Sequence, residues 1–97
     1  MGALTKVEGN KMQKIITATG KEYKIGWCGP STIDFALRFE VVEETMAEVL
    51  TTFTEPEETA TLTHVFDEHE TVFTGYTKFK GVDMKPDGAI VVALLEE

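Results

Sequence analysis

Large apolar side chains occupy every second position from residue 33 to 41. Ile33, Phe35, Leu37, Phe39 and Val41 alternate with Asp34, Ala36, Arg38 and Glu40. Successive side chains on a strand point to opposite faces, so this spacing predicts a half-buried β-strand with one oily and one wet face. Upstream, Lys14 to Ala18 and Glu22 to Trp27 read as the two arms of a hairpin turning at Gly20. Tyr23, Ile25 and Trp27 are expected on one face of the second arm, with Lys24 and Gly26 on the other. Gly29-Pro30-Ser31 is expected to break the chain before the next strand.

The period changes after Val42. Met46, Val49, Leu50 and Phe53 are spaced i, i+3, i+4 and i+7, which puts them on one face of a helix at roughly residues 45–53. Thr45 and Glu48 have the spacing of a capping box, in which each side chain would satisfy a backbone donor of the first turn. Pro56 is expected to end the helix.

Strand signals return at Thr59 to Phe66, followed by the polar turn Asp67-Glu68-His69-Glu70. Thr71 to Met84 is long enough for two strands or one bent strand, with Gly75 and Gly81 as bend or bulge points. Lys85-Pro86-Asp87-Gly88 is a hairpin turn. The last segment, Ala89 to Leu95, is apolar on both faces, as in a central or doubly covered strand.

These segments predict a mainly β domain: an antiparallel β-sandwich or partly closed barrel of about six or seven strands with one short α-helix. The spacing of segments does not order the strands. Residues 12–97 are expected to form a single β-rich domain, which suits a chain of 97 residues. Residues 1–11 precede the first apolar stretch and are expected to be a flexible N-terminal arm or a non-native extension.

Composition narrows the partners. Seventeen acidic against nine basic residues give a net charge of −8. Such a surface repels phosphate backbones and anionic bilayers, so neither nucleic acid nor membrane is an expected partner. No signal-peptide pattern opens the chain, and single Cys28 cannot form an internal disulfide. A cytoplasmic location is the default expectation.

Candidate chemistry is sparse. His64, Asp67, His69 and Glu70 are the best metal-ligand set, but they straddle a turn with no further Cys or His nearby in sequence. They read as a polar turn, and no metal or cofactor is expected. Cys28 beside Trp27 lacks a neighbouring base and reads as a packing residue. Glu43/Glu44 and Glu57/Glu58 read as solvated acids, and the chain is expected not to be an enzyme. Thr59, Thr61, Thr63 and Val65 form one polar, strongly β-forming row. They are read either as an exposed sheet face or as a self-association edge that accepts another strand.

With these segments placed, the chain resembles short proteins encoded among the head–tail or tail genes of phages and prophages of Gram-positive bacteria. The resemblance runs through Met46-Ala47-Glu48-Val49, Phe53, Pro56 and Thr59. It continues through Leu62-Thr63, Gly75-Tyr76-Thr77 and Gly88-Ala89-Ile90-Val91-Val92-Ala93-Leu94. It implies a non-enzymatic, oligomeric component of a particle or its assembly, partnered by itself and by other phage structural proteins. The location it implies is the bacterial host cytoplasm or the virion. An alternative is a small carbohydrate- or ligand-binding β module with Trp27, Tyr23 and Tyr76 as aromatic platforms. A third, an acidic mimic of nucleic acid, is disfavoured because the acids are spread along the chain.

Overall fold

The structure, a computed structural model, describes residues 12–97. The expected N-terminal arm lies outside the described residues. The described residues are mainly β, with seven antiparallel strands in one sheet and two short helices. The strands are β1 (Gln13–Ile16), β2 (Glu22–Pro30), β3 (Leu37–Val41), β4 (Thr61–Phe66), β5 (His69–Thr74), β6 (Lys78–Met84) and β7 (Ile90–Leu95). Helices α1 (Met46–Phe53) and α2 (Pro56–Thr59) lie between β3 and β4. The spatial order is β5-β4-β1-β2-β3-β7-β6.

This order forces the sheet to curl. Strands β5 and β6 lie at opposite edges, yet only residues 75–77 join them. Seven strands laid flat would span roughly 29 Å at the usual strand spacing. The link from Thr74 to Lys78 reaches at most about 14 Å. The two edges must therefore approach each other at this end, as in a partly closed barrel. Gly75 fastens the closure, because its N–H donates to Ala60 O (3.0 Å) and its carbonyl accepts from Glu97 N (2.9 Å). Its φ of +82° suits glycine and few other residues.

Inside the curl, the central strands stack matching side chains. Leu37 pairs with Leu94, Phe39 with Val92 and Val41 with Ile90, and all six are fully buried. Ile15 and Leu62 close the core from β1 and β4, and α1 covers it with Val49 and Phe53. Strand β7 lies between β3 and β6 and is largely buried on both faces, as its doubly apolar sequence requires.

The helix start differs from a full capping box. Thr45 Oγ1 accepts the Glu48 N–H (3.1 Å), but the Glu48 carboxylate reaches across to the Tyr23 hydroxyl (2.6 Å). Glu44 takes its place and accepts the Thr45 N–H (3.0 Å). Pro56 does more than stop α1, since it opens α2 from its first turn, where a missing N–H costs nothing.

Three expectations need correction. The strand expected over 33–41 forms only from Leu37; residues 32–34 are a turn. Polar side chains at Ser31 and Asp34 capture backbone N–H groups there and outcompete strand pairing. Strand β2 runs through Gly29 to Pro30 and does not break after Trp27. Within it, the register with β3 shifts between Ile25 and Cys28, so one extra residue enters the strand. The bulge turns Cys28 toward the core and leaves Trp27 exposed, so Trp27 does not share the buried face of Tyr23 and Ile25.

Candidate interaction surfaces

The loop between β2 and β3 is an exposed segment braced by several hydrogen bonds. Ser31 N–H donates to Ala36 O (2.8 Å) and closes it, while Ser31 Oγ accepts the Ile33 N–H (3.1 Å). Asp34 accepts the Ala36 N–H (3.2 Å) and a two-pronged contact from Arg38, Nη1 to Oδ1 at 3.1 Å and Nη2 to Oδ2 at 2.7 Å. This fork of charge-assisted bonds is the strongest pairing geometry available to a carboxylate. Arg38 and the Ala36 N–H hold the Asp34 carboxyl well below the usual carboxylate range.

What the brace presents is apolar. Ile33 is 89% exposed and Phe35 74% exposed. Phe35 also sits at φ +60°, in the left-handed region that a bulky side chain occupies at a cost of roughly 1–3 kcal/mol. The same odd-numbered alternation that suggested a buried strand face therefore ends in a solvent-facing pair.

The Asp34 ionisation gives a direct check on the brace. A depressed folded-state pKa contributes stability above the ordinary carboxylate value of about 4, and this is lost as pH falls through the folded value. Arg38→Gln is expected to move the Asp34 carboxyl midpoint, followed by NMR, up toward the ordinary value. It should also broaden the Ile33 and Phe35 backbone resonances. An unmoved midpoint would mean that Arg38 does not hold the loop.

The Thr59, Thr61, Thr63 and Val65 row does not lie on a free edge. Strand β4 is paired with β1 on one side and β5 on the other, which uses both of its backbone edges. Thr59 is not in the strand at all: it ends α2 and is buried. The outermost strands are β5 and β6.

His64 is engaged with Gln13, Nε2 to Oε1 at 2.9 Å, and burial pushes its pKa down. His69 lies across from Phe66 in the hairpin, Asp67 occupies its turn and Glu70 follows on β5. Among the described residues no group of three or more His, Cys, Asp or Glu is placed to hold a metal ion. Burial pushes the Cys28 thiol up to about 12, which disfavours the nucleophilic thiolate. Of the three candidate aromatic platforms, Tyr23 is buried and Tyr76 packs edge-on against Phe73, leaving Trp27 exposed. No described helix is long and apolar enough to cross a membrane.

The sequence held two signals for the braced loop: Ser31 and Asp34 as turn formers, and Asp34 four residues before Arg38. The regular alternation masked both. No known protein family, curated protein or solved structure matches the chain.

Proposed function

We propose that the protein is a non-enzymatic assembly component acting through subunit contacts, with the Ile33/Phe35 tip as a knob that seats in an apolar recess of a neighbouring subunit. The observation that carries this reading is the combination at the tip: two large apolar side chains in solvent, a strained Phe35 backbone, and an Asp34–Arg38 fork that fixes both. Strain held by surrounding bonds is a recurrent property of contact and switch sites. Preordering also lowers the entropy lost when a contact forms. The resemblance to short phage and prophage proteins supports a setting in a tail or head–tail region, with copies of itself and other structural proteins as partners.

The test uses the whole chain in sedimentation velocity over a concentration series. Ile33→Ser with Phe35→Gly is expected to preserve the fold, because glycine adopts the left-handed backbone without strain. The same pair should weaken association at least about tenfold, the equivalent of about 1.4 kcal/mol. A strict monomer at about 100 μM, or association indifferent to the double substitution, would rule out the tip contact.

A further inference from the structure

We infer that the outward face of β2 and β3 around Trp27 and Gly29 binds a neutral glycan, with one sugar ring stacked on the Trp27 indole and seated over the bare backbone of Gly29. This goes beyond the subunit-contact reading and does not rest on it.

Strand alternation and the bulge set out the face. Cys28 packs toward the core and pairs with buried Phe39, so Trp27 and Gly29, on either side of it, point outward. Arg38 pairs with Gly29 and shares that face, as does Glu40 two residues on. These four are direct or diagonal cross-strand neighbours, roughly 5–8 Å apart. Trp27 is 41% exposed, and among the described residues its indole makes neither ring contact nor hydrogen bond.

Gly29 is the informative position. A glycine inside a strand usually answers to a bulge, a bend, or the close approach of a ligand or another backbone. Gly81 falls at the shift in β6, and Gly26 leaves room for the Glu40 carboxylate. Gly29 has neither reason. It lies in unbroken register between Cys28 and Pro30, and its φ is outside the left-handed region. A Cβ there would meet no described atom within 4 Å beyond its chain neighbours. Neither the backbone nor the packing demands glycine at this point, which leaves the approach of something from outside.

Charge and hydrogen-bonding capacity select what approaches. Arg38 is paired with Asp34 at 2.7 Å and Glu40 with Lys85 at 2.6 Å, so the ionised groups beside Trp27 cancel in pairs. An ionic ligand finds no unpaired counter-charge among them, and a second copy would bring a further −8. An apolar ligand would strip water from groups with bonds still to make. The Arg38 guanidinium has N–H donors beyond the two it gives Asp34, and Glu40 Oε1 accepts no bond among the described residues. Neighbouring hydroxyls satisfy such donors and acceptors together, and the C–H face of a pyranose ring covers an indole. A neutral sugar combines both.

Trp27 is the chain's single tryptophan, so its fluorescence reports on the site alone. The whole chain is titrated with neutral oligosaccharides of glucose, galactose and N-acetylglucosamine. At least one is expected to shift the emission to the blue and to saturate with a Kd of about 1 mM or tighter. Gly29→Val fills the seat with a side chain that strands favour. It is expected to weaken that binding at least about tenfold. Its melting midpoint should stay at or above the wild-type value, since glycine is the costlier residue in a strand. Trp27→Ala should abolish the shifts that the sugar causes in the Gly29 and Arg38 amide resonances. A Gly29→Val variant that melts several degrees lower would show the glycine serving the backbone, and one that binds as wild type would show that nothing sits over it. Either result overturns the proposal. So would the lack of a saturable response to every sugar, or an emission shift that follows protein concentration without sugar, which would put a second copy over Trp27.

Discussion

Replacing Phe53 by Ala is expected to cost about 3–5 kcal/mol, as removal of a buried aromatic ring commonly does. Phe53 is 1% exposed, and its ring packs against Phe39 at 5.0 Å and Tyr23 at 5.1 Å between centroids. Those partners sit on β3 and β2, so one side chain fastens α1 to two neighbouring strands. An eight-residue helix does not hold its shape alone in water. Loss of the ring should therefore release the helix as well as open a cavity. Domains of this size are stable by about 5–15 kcal/mol in total. Thermal melts followed by circular dichroism should show a midpoint lower by something on the order of 20 °C. A loss below about 1 kcal/mol would mean that the neighbours collapse into the space and that α1 is held by other contacts.

Tyr23→Phe removes one oxygen and should still cost about 1–3 kcal/mol at neutral pH. The hydroxyl lies 2.6 Å from Glu48 Oε2 and 2.6 Å from Thr52 Oγ1, and Thr52 is almost wholly buried. Without it, Thr52 keeps only a long contact to Glu48 (3.5 Å). Burial first, and the Glu48 carboxylate second, push the Tyr23 ionisation up to about 12. The protonated phenol is the form the fold prefers. Its contribution is complete below the ordinary tyrosine value of about 10 and is lost as pH rises through the folded value. Denaturant titrations at neutral pH and at about pH 11 should show wild type losing more stability between the two than the variant does. Equal alkaline losses would mean that the hydroxyl is not the group titrating against the fold.

The elements legible in the sequence were those whose periodicity and packing agree. The spacing Met46, Val49, Leu50, Phe53 located α1 because Val49 and Phe53 are buried and Met46 packs half-buried against the core, with Leu50 left at the rim. Ala89 to Leu95 was recognisable as a central strand because its outer face is also covered. Gly81 marked a real bulge and Gly75 a real bend. Two of the failures share a physical origin: a polar group that periodicity does not weigh. At 33–36, Ser31 and Asp34 bind the backbone and turn Ile33 and Phe35 outward. At Gly26, a side chain would run into the Glu40 carboxylate, which is itself paired with Lys85 at 2.6 Å. The bare glycine beside that ion pair falls where β2 gains its extra residue and where side-chain parity reverses. Of the row Thr59, Thr61, Thr63 and Val65, the last three lie on a strand as expected and Thr59 does not, but an edge is a property of strand order. Pairing between residues some fifty positions apart decides that, and no local pattern records it.

The short link at Gly75–Thr77 also has a meaning in chain entropy. Four of the six strand pairings, β1 with β2, β2 with β3, β4 with β5 and β6 with β7, join sequence neighbours and close short loops. Only β1 with β4 and β3 with β7 close long ones, each joining residues about fifty positions apart. The link makes these two closures interdependent. Once β4 has docked on β1, residues 75–77 hold β6, and with it β7, within a few residues' reach of β3. The second long loop is then closed from a tethered start and not from a free chain, and its effective length is far shorter than its sequence separation. A three-residue connection between opposite edges thus lets one costly long-range closure subsidise the other.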